Sequence, residues 1–181
     1  AEYSGSLGKF SLKAGARYEH TWQRVTYAEG QGENFKLNYG NLIGDDTDGH
    51  VDTVARLAPN DTIVYMQCSD ESDAQHADLK AMEEEIAELR TAEGKPYRMI
   101  PLPSPAPIHD EDGERLPATY ANFLIMNNCI LYPTYAQDEN DRKAAVALSK
   151  AFPTHEIVGI DCRALIKQHG SLHCVTMQYP R

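Results

Sequence analysis

The chain has 181 residues, 41% of them hydrophobic, with a mean hydropathy of −0.52 and a formal net charge of −10. That leaves room for one domain of ordinary size, and no apolar run reaches the roughly 18–20 residues of a membrane helix. The acidic body disfavours nucleic acid and anionic lipid as partners and suits a small cation.

Composition changes near residue 41. Residues 1–43 contain no Asp, Pro, Cys or Met and carry a net charge of +1, which leaves −11 on the remainder. Phe10, Leu12, Ala14, Ala16, Tyr18, His20 and Trp22 alternate with polar or small neighbours, the period of a strand. A glycine-rich turn over 29–33 follows, then a second alternation at Phe35, Leu37 and Tyr39. This predicts a β-hairpin, of either an ordinary soluble sheet or an outer-membrane barrel. The first residues lack the apolar core of a signal peptide. The four cysteines, Cys68, Cys129, Cys162 and Cys174, show no CxxC or metal spacing, so free thiols in a reducing cytoplasm are expected.

Beyond the seam, residues 61–68 read as a β-branched, apolar strand. Residues 72–92 read as a helix, with Leu79, Met82, Ile86 and Leu89 on one face and a solvated acidic face at Glu83, Glu84, Glu85 and Glu88. Gly94 stops it. A strand is expected over 97–102, then a proline-rich, mobile surface loop to residue 117. Residues 120–126 and 129–132 form a predicted hairpin about Asn127-Asn128, residues that tolerate positive φ. A second helix over 138–152 begins with acidic residues that suit its dipole. A strand over 156–160, a short helix over 162–168 and a last strand over 172–178 complete the reading. The pattern suggests an α/β chain using a ββαβ unit more than once.

Two motifs carry chemistry. Cys174 follows the turn Gly170-Ser171-Leu172-His173, which would expose its thiol at a strand start. Cys68, Cys129 and Cys162 lie in or beside apolar strands and read as structural. Far upstream, Asp48-Gly49-His50-Val51-Asp52 offers an imidazole and carboxylates. Thiolate, imidazole and carboxylate together suit attack on a cationic carbon. The acidic run fails as a calcium loop, because Ala55 stands where the closing Glu would fall. No third ligand completes a His-x-Asp metal site. His173 would point away from Cys174 on a strand and reads as structural.

From about residue 41 onward, Gly170-Ser171-Leu172-His173-Cys174-Val175-Thr176 and Asp48-Gly49-His50-Val51-Asp52 resemble the C-terminal part of agmatine deiminase, in the guanidine-modifying pentein superfamily. The resemblance implies a partial pentein α/β-propeller, about two of five ββαβ units, preceded by the β-hairpin of residues 1–40. It implies Cys174 as nucleophile, His50 as general acid/base, and Asp52 with Asp48 as carboxylates facing the guanidinium. It implies no cofactor and no metal. The expected substrate is agmatine, hydrolysed to N-carbamoylputrescine and ammonia in polyamine biosynthesis. The expected partners are that small cation and a further copy of the chain; no nucleic acid is expected, and no membrane for residues 41–181. Residues 1–40 resemble a strand pair of a TonB-dependent outer-membrane receptor and read as foreign to the enzyme. Two acidic residues of the family's N-terminal half have no counterpart there, so the chain alone is expected to be inactive. A bacterial-type peptidyl-arginine deiminase and a non-catalytic outer-membrane fragment are the competing readings.

Overall fold

The computed structural model describes residues 4–7, 10–13, 37–45 and 50–177. Its contacts group into two units, Ala1–Lys36 and Leu37–Arg181. In the first unit β1 (Ser4–Leu7) pairs antiparallel with β2 (Phe10–Lys13), Leu7 opposite Phe10. A hairpin is present, one strand earlier than the alternation suggested. The remainder of that pattern, residues 14–36, lies outside the described residues.

The second unit contains two ββαβ motifs of the same topology. β3 (Ala55–Ala58) runs antiparallel to β4 (Thr62–Gln67), and helix α1 (His76–Ala87) crosses over to β5 (Arg98–Pro103), parallel to β4. β6 (Leu124–Ile125) runs antiparallel to β7 (Cys129–Thr134), and α2 (Asp138–Ala151) crosses over to β8 (Glu156–Asp161), parallel to β7. In both sheets the second strand of the motif lies in the middle. The tight β3–β4 turn puts Asn60 and Asp61 at φ 59° and 51°, a left-handed conformation those two residues tolerate. Pro101 and Pro103 fit β5 because it is an edge strand.

Helix α1 turns its expected face inward except at Leu89, which lies beyond its end and is partly buried; α2 buries an alanine-rich face. Leu79, Met82 and Ile86 of α1 are buried, as are Ala144, Ala147, Leu148 and Ala151 of α2. Helix α1 is shorter than the apolar period suggests. Asp70 Oδ1 accepts the Ser72 amide at 2.9 Å, and Asp73 Oδ1 accepts the Gln75 amide at 2.9 Å, so the approach is a chain of side-chain-capped turns. At the other end Arg90 already bridges to Pro96.

Four expectations are corrected. The last strand over 172–178 is instead a single 3-10 turn, His173–Val175, with no strand partner among the described residues. Residues 120–123 are buried but irregular, and only Leu124–Ile125 joins the sheet. The loop after β5 is pinned: the Arg115 guanidinium donates to both oxygens of Asp73, at 2.7 and 3.0 Å, and Gln137 exchanges two hydrogen bonds with the Ala106 backbone. Finally, residues 37–39 are not a strand. Residues 38–43 lie along α1 as a strap: the Asn38 and Tyr39 amides donate to Glu85, those of Gly40 and Asn41 to Asp78, and that of Ile43 to Gln75. Glu85, expected on a merely solvated face, is one of its anchors.

Candidate active site

Three irregular segments, 50–53, 119–123 and 169–175, meet beside the two sheets. Each is held by local backbone turns together with side-chain hydrogen bonds rather than by a strand ladder.

Asp52 lies in the 3-10 turn Val51–Thr53 and is 9% exposed. The turn is tied at both ends. The Thr53 amide and hydroxyl donate to the His50 carbonyl at 3.1 and 2.6 Å. The Thr119 hydroxyl donates to the Thr53 carbonyl at 2.6 Å. The third segment begins at His169, whose φ of 62° turns the chain, and whose Nδ1 lies 2.9 Å from the Gly44 carbonyl oxygen. Gly170 follows; a Cβ there would stand 3.3 Å from the Cys174 Cβ. Buried Ser171 lies 3.3 Å from the Tyr135 hydroxyl, which itself donates to the Thr119 carbonyl at 2.9 Å. Cys174 then sits in the turn His173–Val175, and the residue is exposed.

Asn122, 0% exposed, joins these segments. Its Oδ1 accepts the backbone amides of His173 at 2.7 Å and Cys174 at 3.3 Å, and lies 3.5 Å from the Cys174 Sγ. Its Nδ2 donates to Asp52 Oδ2 at 2.9 Å. The same Asp52 oxygen lies 2.7 Å from His173 Nδ1. Arg56 lies behind, donating to the Phe123 carbonyl at 2.9 Å with its guanidinium carbon 5.1 Å from the centre of the Phe123 ring.

Burial pushes the Asp52 carboxyl up, but the hydrogen bond and charge of His173, together with Arg56 and His50, outweigh it and hold the group below its ordinary value. Partial burial pushes the Cys174 thiol up, and the charges of Asp52 and Asp45 push the same way; a Ser171 backbone hydrogen bond opposes them, and the Asn122 side chain would do so only with its N–H, not its oxygen, turned to the sulfur. The resting thiol is therefore protonated at neutral pH, and a cation placed beside it would favour the thiolate. Burial also raises Cys68 and Cys162, the latter to about 11, in keeping with their structural reading.

Of the residues singled out in the sequence, Cys174 and Asp52 are brought together through Asn122. His50 flanks the Asp52 turn, near enough for its charge to act on that carboxylate. Asp48 lies outside the described residues. His173, buried at 5% exposure on a 3-10 turn rather than a strand, is the direct partner of Asp52. Asn122 and Arg56 were not foreseen. The one available signal for Asn122 was a carboxamide inside the otherwise apolar run 120–126. Among the described residues, no three His, Cys, Asp or Glu side chains converge as metal ligands, and no helix is long and apolar enough to cross a membrane.

The sequence model of the Porphyromonas-type peptidyl-arginine deiminase family matches residues 23–180. The match thus starts ahead of the compositional seam, inside the segment that resembled a TonB-dependent receptor, and no comparison supports that receptor resemblance. A candidate agmatine deiminase of Marinomonas sp. is 36% identical over 155 residues, 77% of this chain and 42% of that protein. A solved candidate arginine deiminase from Porphyromonas gingivalis is 52% identical with a TM-score of 0.79, over 87% of this chain and 46% of that one. A substrate-bound agmatine deiminase of C. jejuni, with serine in place of a cysteine, is 40% identical with a TM-score of 0.71, over 85% and 44%. The chain spans less than half the length of these relatives. With the shared mixed α/β architecture and a family match over most of its length, the chain belongs to the Porphyromonas-type peptidyl-arginine deiminase family.

Proposed function

We propose that this chain carries the nucleophile half of an agmatine deiminase centre, and that its two ββαβ motifs are two of the five units of a pentein propeller. The observation that carries the reading is the convergence on one carboxamide of an exposed cysteine and a buried, anionic aspartate. Asp52 Oδ2 is occupied by His173 and Asn122, while Oδ1 accepts no hydrogen bond from the described residues and is left to face a guanidinium N–H.

In the proposed reaction His50 takes the proton of the Cys174 thiol as the sulfur attacks the guanidinium carbon, and passes it to the nitrogen that leaves as ammonia. The resulting amidino-cysteine is attacked by a water whose proton His50 takes back. Collapse expels the thiolate and leaves a carbamoyl product, N-carbamoylputrescine when the substrate is agmatine. Guanidinium is already cationic, so no cofactor is needed. Asp48 is proposed as a further substrate-binding carboxylate, and the cytoplasm as the location.

No motif in the sequence of residues 1–40 matches the acidic clamp that the resemblance implies for the family's N-terminal half. A guanidinium held by one carboxylate is poorly oriented, and orientation is worth about 7–11 kcal/mol of barrier. The chain alone is therefore expected to turn agmatine over at less than about 1% of the rate of an intact relative. Its thiol should still favour cations: the cationic alkylator 2-chloroacetamidine is expected to label Cys174 at least about tenfold faster than neutral 2-chloroacetamide. Equal labelling by the two reagents would sink the reading. The family's description and the P. gingivalis relative favour arginine or peptidyl arginine as the runner-up substrate. Competition of each with the amidine for Cys174 separates them.

A further inference from the structure

The orientation of the Asn122 carboxamide is dictated by its neighbours. On one side stand two backbone N–H groups, which can only donate. On the other stands the Asp52 carboxylate, which can only accept. A flipped amide would set donor against donor and acceptor against acceptor. The atom facing the Cys174 sulfur at 3.5 Å is therefore a carbonyl oxygen. Only a protonated sulfur can bond to it; a thiolate would meet a partial negative charge. That charge is increased by the anion across the same amide, because hydrogen bonds in a chain polarise one another.

We propose that Asn122 is a positioning residue that holds the Cys174 thiol in its protonated resting state and relays the charge of Asp52 to it through one carboxamide. The inference rests on Cys174 being the nucleophile of the proposed reaction. A cation that pairs with Asp52 weakens the polarisation of the amide, so the acidity of the thiol is tied to what Asp52 holds.

The test uses the 181-residue chain and the pH dependence of iodoacetamide alkylation. Mass spectrometry of the Cys174 peptide provides the readout, so that Cys68, Cys129 and Cys162 do not contribute. Asn122→Ser cannot span from thiol to carboxylate. It is expected to lower the alkylation midpoint by at least about one pH unit. It should also shrink the downward shift caused by Asp52→Asn at least about threefold relative to that shift in the wild-type background. A midpoint within about 0.3 unit of wild type, or an Asp52→Asn shift of unchanged size, overturns the proposal. Should circular dichroism show that Asn122→Ser does not fold, the exchange Asp52→Asn with Asn122→Asp decides. It moves the carboxylate against the sulfur, and the midpoint must rise at least about one unit above wild type; no rise overturns the proposal. Alkylation needs no turnover, so a chain that releases no carbamoyl product leaves this test standing, whereas equal labelling by the charged and neutral alkylators counts against the deiminase reading alone.

Discussion

Asp52 stays anionic under burial because two neighbouring side chains donate to one of its oxygens and three positive or titratable groups surround it. Its folded value is depressed. The stability it contributes is therefore fully present above the unfolded value near 3.8 and is lost as pH falls through the lower folded value. Asp52→Asn removes the anion that His173 hydrogen-bonds and is expected to destabilise the fold by about 2–4 kcal/mol. In urea unfolding, the gap between wild type and variant should hold constant above about pH 5 and close below about pH 4. A gap that widens toward acid would mean that Asp52 is not the depressed group. Cys174 and Asp52 were legible in the sequence because each sits in a short motif whose chemistry is local. Asn122 was not. Its partners lie 51 and 70 positions away, and a polar residue in an apolar run reads as the outer face of a strand. His173 reads as structural on an expected strand, where a 3-10 turn stands instead; its bond to Asp52 spans 121 positions and no period reports it.

At the scale of elements, apolar periodicity located both helices and four of the six strands of the second unit to within a few residues. It failed where side chains, not ladders, satisfy the backbone. The 3-10 turn His173–Val175 stands in for a strand because Asn122 receives the two amides a ladder would have used. β3 was missed because Ala55, Leu57 and Ala58 lack the β-branched signature of the other strands. The loop after β5 reads as mobile from its prolines and charges, yet a part-buried ion pair and the two Gln137–Ala106 hydrogen bonds anchor it. The Arg115 hydrogen bond is the largest influence on Asp73 and, against burial, holds that carboxyl low. Arg115→Ala would strand the Asp73 charge and is expected to cost about 3–5 kcal/mol near neutral pH. The penalty should shrink as pH falls below the ordinary carboxylate value, since Asp73 contributes through its anionic form. Thermal melts of both proteins at pH 7 and pH 3.5 check this; an equal loss at the two pH values would show that Arg115 acts through packing alone.

For the molecule as a whole, the repeated order of the two sheets leaves β3, β5, β6 and β8 as edges among the described residues. β8 is the least guarded. Ile157, Val158 and Ile160 are only half buried, and the strand carries charge only at its two ends, Glu156 and Asp161. Concentration-dependent association is therefore expected in light scattering. Val158→Lys, an edge charge, should shift the population toward monomer at equal concentration, and an unaffected distribution would exclude β8 as the contact. The acidic surface was legible from composition alone, since net charge is additive. Which edges stay open was not, because pairing is a property of the sheet and not of any one strand.

The strap along α1 has a consequence for the seam in the sequence. Five of its six successive amides, from Asn38 to Ile43, are received by three side chains of the helix approach and its exposed face, and only one side chain of the strap, that of Asn38, joins in. Grip of this kind reads a ribbon more than its letters, but two positions are particular: Leu42, 7% exposed, is packed into the hydrophobic core, and Gly40 is the other. Gly40, at φ 94°, passes so close to Met82 that any side chain there would collide with the sulfur. Where the composition of the chain changes, the backbone is thus held by α1 and its approach, and the letters asked of it there are Gly40 and Leu42.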